Sequence, residues 1–156
     1  MITVSDTSPI ILLGKAGHLR LLEKLFRKII IPPAVDTEWL RPGDYNTPKW
    51  ISVEKLSPEA QHVAESLHNK IDKGEAEAIA LSLALKAEWV LLDDLKARKQ
   101  AQSMSLTVVG TVGILVSAKR KGMIHALRPI LDALKRHRFY LSDDLLQKSL
   151  LLAGER

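Results

Sequence analysis

The chain has 156 residues, enough to bury roughly two thirds of its unfolded surface in one compact domain, and no second domain is required. It is 46% hydrophobic but only 4% aromatic, so aliphatic side chains must fill the core and platforms for stacking bases are scarce. Zero cysteines exclude a disulfide framework, a thiolate nucleophile and Cys-ligated zinc, while 23 Lys+Arg against 18 Asp+Glu give a net charge of +5 that favours a polyanionic partner.

In chain order, Ile2 to Ser5 is a short β-prone run that leads into Asp6. Ser8 is placed to cap a helix with Pro9 at its first position, continuing to Leu13, and Gly14 and Gly17 punctuate it. Lys15 interrupts the apolar run before it could act as a signal or spanning segment, so a soluble, cytoplasmic protein is expected. His18 to Phe26 carries Leu19, Leu22, Leu25 and Phe26 at helical spacing. Ile29-Ile30-Ile31, closed by Pro32-Pro33, reads as a buried strand, and a helix from about Ala34 to Leu40 carries Glu38.

Between Arg41 and Pro58 the pattern lapses into prolines and turn residues, a mobile or variable region with Trp50 to Val53 as an edge strand. Pro58 to Lys70 and Gly74 to Lys86 read as helices, the second with Ala76, Ile79, Ala80 and Leu83 on one face. Trp89 to Leu92 and Thr107 to Val109 are the next strands, separated by a helix from Leu95 to about Met104. Val112 to Lys121 is helical up to Gly122, Ile124 to His137 is helical with a kink or restart at Pro129, and Ser142 caps a last helix through Leu152. Strands alternating with helices predict an α/β fold whose parallel sheet is covered on both faces.

The carboxylates carry the chemistry. In a parallel sheet the strand carboxyl ends share one edge, so Asp6, Glu38, Glu75, Glu77, Asp93 and Asp94 are placed to converge there and hold a hard cation such as Mg2+. Asp6 abuts an apolar strand and must be solvated, paired or metal-bound; its alternative role is a helix cap, a task Ser8 already serves. Asp93 directly ends a strand and is favoured over Asp94, either of which suits a cap. Glu75 and Glu77 stand about 200° apart on a helix and border its apolar stripe on opposite sides, where favourable placement of acids near a helix N-terminus explains both without function. Asp72 reads as a turn or cap residue.

Other chemistries find little support. The five histidines show no zinc-ligand spacing, and neither GxGxxG, a Walker A loop nor a GxSxG elbow is present. A phosphatase of the haloacid dehalogenase type needs an aspartate where Ser8 stands, and a receiver-like domain needs its acid pair after the first strand. Basic groups at Lys96 to Lys99, Lys119 to Lys121 and Lys135 to Arg138 are each consistent with solvated helix faces, but beside an acidic centre they suit a phosphodiester.

With these residues assembled, the chain resembles the PIN-domain family, in particular its small prokaryotic PIN-like group related to toxin ribonucleases of toxin-antitoxin systems. The resemblance rests on Val4-Ser5-Asp6-Thr7-Ser8-Pro9, Ile31 to Val35 followed by Glu38, Gly74-Glu75-Ala76-Glu77-Ala78, Leu91-Leu92-Asp93-Asp94 with Ala97-Arg98, Val109-Gly110-Thr111-Val112-Gly113 with Ala118-Lys119, and Ala153-Gly154-Glu155. It implies a three-layer α/β/α sandwich with a mainly parallel sheet, as one domain over residues 1–156. It also implies a Mg2+ or Mn2+ site formed by Asp6, Glu38, Glu75 or Glu77, and Asp93, with Thr111 available to hydrogen-bond a water or cap a helix. The activity implied is metal-dependent hydrolysis of single-stranded RNA by a toxin-like protein with a cognate antitoxin and a possible homodimer, and without a membrane. A non-catalytic binding or interaction module on the same fold is the alternative.

Overall fold

Apolar runs that end at acids or turn residues become the strands of a central sheet. The computed structural model describes residues 1–40 and 47–155, so the turn residues Pro42, Gly43 and Asn46 of the expected irregular stretch lie outside it. The strands are β1 (Thr3–Ser5), β2 (Ile29–Ile31), β3 (Ile51–Val53), β4 (Trp89–Leu91) and β5 (Val108–Val109). They stand in the order β3-β2-β1-β4-β5, every pairing parallel, with Val4 opposite Ile30 on one side and Val90 on the other. β-branched side chains thus meet across the middle of the sheet, where they pack well on a pleated surface.

Nine helices connect and cover the strands among the described residues: α1 (Thr7–Lys15), α2 (Arg20–Phe26), α3 (Pro33–Leu40), α4 (Pro58–Leu67), α5 (Lys73–Leu85), α6 (Leu95–Ser103), α7 (Thr111–Arg120), α8 (Arg128–Arg136) and α9 (Asp143–Leu152). Strand side chains alternate between two cores. Ile29, Ile31 and Leu91 pack with Ile10, Leu22, Ile114, Leu131 and Leu150 of α1, α2, α7, α8 and α9. Val90 and Leu92 pack with Ala64, Leu67, Ile79, Ala97 and Ala101 of α4, α5 and α6, and Val4 packs with Ala78 and Leu81 of α5. Helices therefore cover both faces, giving the three-layer α/β/α sandwich that the alternation of elements predicts. No helix among the described residues is long and apolar enough to cross a membrane.

Several local expectations are corrected. α1 begins at Thr7 with Asp6 in the cap position, and Ser8, instead of capping, directs its hydroxyl across the sheet edge; Gly14 lies within the helix. Pro129 marks a restart, because α8 begins only at Arg128, where a residue without an amide proton costs no helical hydrogen bond. The stripe expected on α5 is a buried stretch from Gly74 to Ser82, since the helix is packed against α3, α4, β1 and β4.

The order of strands positions the site. β1 and β4 are neighbours, yet α1 leaves the end of β1 towards one face and α6 follows β4 on the other. Connections that diverge in this way open a crevice at the carboxyl ends of the two strands. The Asp6 amide donates to the Leu91 carbonyl at 3.0 Å and ties the floor of that crevice together.

Candidate functional site

The crevice opens into a cleft of about 1270 Å³, and Asp6, Glu38, Asp72, Glu75, Asp93 and Asp94 all line it. Asp6, at the end of β1, is 5% exposed. Burial pushes its carboxyl up to about 8; the Thr7 backbone hydrogen bond opposes this, and repulsion from Glu75, Asp72 and Glu38 adds to it. Glu38, more exposed on α3, is steadied by the Thr7 hydroxyl, which donates to its Oε2 at 2.6 Å.

Gly74 makes the meeting of these acids possible. A Cβ at that position would stand 2.9 Å from Glu38 Oε1 and 3.2 Å from Asp6 Oδ1, so the first turn of α5 approaches both carboxylates only because no side chain intervenes. The next residue, Glu75, joins the same wall. Its carboxyl is pushed up to about 7 by burial, then by repulsion from Asp72, with the Asp72 backbone hydrogen bond opposing and Asp94 and Glu38 adding further repulsion. Asp72 and Glu75 also form a reciprocal capping box: Asp72 Oδ1 accepts the Glu75 amide at 2.9 Å and Glu75 Oε1 accepts the Asp72 amide at 3.2 Å.

Glu77 is directed elsewhere. It is 5% exposed, and its Oε1 accepts the Ala34 amide at 2.9 Å, satisfying a free donor in the first turn of α3. It does not line the cleft. Asp93 does, and both its oxygens are engaged: Oδ1 accepts the Thr111 amide at 2.7 Å, while Oδ2 accepts the Thr111 hydroxyl at 2.6 Å and the Ser8 hydroxyl at 2.9 Å. Asp93 thus sits at the N-terminus of α7, where the helix dipole favours negative charge. Asp94 caps α6, its Oδ2 accepting the Ala97 amide at 3.0 Å.

Sequence reasoning passes over Asp72 as a lining residue: it caps, as expected of a turn or cap residue, and it also lines the cleft, a pairing signalled by its Asp-x-x-Glu spacing to Glu75. Arg98 belongs to a basic group that suits either a solvated helix face or a phosphodiester backbone, and it lines the cleft with Lys15, Lys99 and His137.

Among the described residues, no group of three or more histidine and carboxylate side chains is set to hold a metal ion. The donor chemistry nevertheless fits a hard cation. Asp6 and Glu75 are oxygen donors whose carboxyls are raised by burial and mutual repulsion, and neither forms an ion pair with a described lysine or arginine. Such donors, once deprotonated, would suit a divalent ion. Compared with protein-family models, residues 2–155 match one described as a PIN domain. A comparison with curated proteins finds no match.

Proposed function

The chain belongs to the PIN-domain family, whose members are generally nucleases, and from that premise we propose that it is a metal-dependent ribonuclease hydrolysing phosphodiester bonds of single-stranded RNA. The observation that carries this reading is the close approach of the Asp6 and Glu38 carboxylates to the bare backbone of Gly74, with Glu75 lining the same cleft. We assign Asp6, Glu38 and Glu75 as the residues that would hold Mg2+ or Mn2+, with Asp93 as the fourth acid of the centre. Glu77 we assign to the support of α3. A divalent ion held there supplies a Lewis acid for the phosphate and a lowered pKa for the attacking water.

The chain's own groups do the rest. Ser8 and Thr111 fix Asp93 in one orientation, so its charge is presented without rearrangement. Asp6 and Glu75, protonated more readily than ordinary carboxyls, would hold the ion as carboxylates. Lys15 and Lys99 line the cleft where a phosphate backbone would run, and attract it electrostatically. A cleft of about 1270 Å³ exceeds the usual small-ligand range of roughly 300–1,000 Å³, in keeping with a polymer. The family resemblance supports a wider setting: a toxin-like component of a toxin-antitoxin system, neutralised by a cognate antitoxin, working in the cytoplasm and able to form a homodimer.

One observation favours a second reading, a non-catalytic PIN-fold binding or interaction module: among the described residues, no three of the acids are close enough together to hold an ion as they stand. Labelled single-stranded RNA incubated with Mn2+ or Mg2+, or with chelator, separates the two. Cutting by the wild type that is lost with chelator and in Asp6→Asn is the expected result. Full cutting by Asp6→Asn would sink the assignment. Absence of both cutting and any Mn2+-dependent rise in Tm would favour the module.

A further inference from the structure

Arg98 lies in the second turn of α6, half-buried on the cleft wall, with its amide donating to the Asp94 carbonyl at 2.9 Å. Its guanidinium lies over Gly110. A Cβ built on Gly110 would collide with Arg98 Nη1 and stand 3.1 Å from Asp93 Oδ1, so the guanidinium and the Asp93 carboxylate flank the same bare backbone at the start of α7. Although they are this close, Arg98 forms no ion pair among the described residues. The oxygens of Asp93 are already occupied by Ser8 and Thr111, and Asp94 is engaged in capping α6.

A guanidinium has five donors and no acceptor, and partly withdrawing it from water beside carboxylates that do not bind it leaves most of that capacity unused. Arg98 borders the same cleft that Asp6, Glu38, Glu75 and Asp93 line. We propose that Arg98 is a phosphate-binding residue of this cleft, its guanidinium taking the non-bridging oxygens of an RNA phosphate, and that Gly110 keeps open the space it occupies. The inference rests on the ribonuclease reading above and names how that site holds its substrate.

Arginine suits the task better than lysine because its planar fork meets two phosphate oxygens at once, whereas an ammonium offers a point charge. Gly110 is also distinct from an ordinary helix-cap glycine, since its backbone is not left-handed and a Cβ there would meet the guanidinium first, then Asp93 Oδ1 at 3.1 Å and the Leu92 carbonyl at 3.3 Å.

Anisotropy of a fluorescein-labelled single-stranded RNA, measured on the full chain in chelator, reads affinity without cutting. Arg98→Ala is expected to weaken binding roughly tenfold, the loss of one charged hydrogen-bonded contact. It should also reduce the slope of log affinity against log salt by about 0.7, one phosphate on a single strand. Arg98→Lys should restore the slope without the full affinity. Gly110→Ala should weaken binding although Arg98 is intact, and in an Arg98→Ala background it should cause little further loss, a non-additivity that a merely structural arginine would not give. If Arg98→Ala fails to fold, as read by Tm, the lysine and Gly110 variants decide the matter. Wild-type cutting together with Arg98→Ala affinity within about twofold of wild type, and an unchanged slope, overturns this inference alone. A wild type that neither binds nor cuts RNA overturns the ribonuclease reading and this inference with it.

Discussion

The Glu77 carboxylate accepts the Ala34 amide at 2.9 Å, and through that bond a residue of α5 caps a helix 43 positions earlier in the chain. Glu75, two residues before it, faces the cleft instead. Replacing the two should therefore have opposite signatures. Glu77→Ala leaves a buried amide without a partner and should cost about 1–3 kcal/mol of stability, measured by urea denaturation, while the folded fraction keeps its RNA cutting. Glu75→Gln should lose cutting by about a hundredfold or more with little loss of stability. Cutting that survives Glu75→Gln and vanishes in folded Glu77→Gln would reverse the assignment.

The raised carboxyls of Asp6 and Glu75 set the pH response of the metal-free protein. Asp6 moves from 3.8 to about 8 and Glu75 from 4.5 to about 7, so between these limits the folded state holds protons that the unfolded state has released. Stability contributed by these protons is full at the acid end, falls as pH rises through the window, and levels off above about pH 8. Melting curves in chelator from pH 4.5 to 9 should show the fall. It should be shallower in Asp6→Asn and in wild type saturated with Mn2+. A Tm that climbs across this range in chelator would contradict the burial of Asp6.

Gly74→Ala separates folding from function. Alanine is a better helix former than glycine by about 1 kcal/mol, so Tm should hold or rise slightly. The new methyl would stand 2.9 Å from Glu38 Oε1, the far end of a side chain able to swing away, and 3.2 Å from Asp6 Oδ1. Displacing these carboxylates should weaken Mn2+ binding and cutting together. A Gly74→Ala protein with wild-type Mn2+ affinity and cutting would contradict the role given to the bare backbone at Gly74.

The Thr111 hydroxyl holds Asp93 Oδ2 at 2.6 Å from a fully buried position. Thr111→Val keeps the shape and the amide bond but removes that donor, at a cost of about 2 kcal/mol. Cutting should drop roughly tenfold through kcat, with RNA affinity measured in chelator unchanged. An affinity loss without a kcat loss would place Thr111 on the substrate instead of behind Asp93.

Much of this was legible from the residues. Ile29 to Ile31 and Trp89 to Leu91 announce themselves as buried strands by unbroken apolar character, and alternation with helices dictates a parallel sheet with its acids on one edge. What escaped depended on partners distant in sequence. Spacing places Glu75 and Glu77 on opposite sides of a stripe but is symmetrical between them; only the position of Ala34 breaks the tie. Ser8 has every local qualification for a cap, and its hydroxyl instead serves an aspartate on another strand. Arg98 looks like its neighbours Lys96 and Lys99 until the bare backbone of Gly110 appears beneath it.

The hydroxyl of Ser8 reaches Asp93 across 85 positions of chain, that of Thr7 reaches Glu38 across 31, and Thr111 closes the circle late in the sequence. Contacts so far apart are slow to form, because the loops between them must close first. The cleft therefore depends on the long-range order of the fold more than on any single element. In a refolding experiment, Mn2+ binding at the cleft should return no sooner than the slowest structural signal.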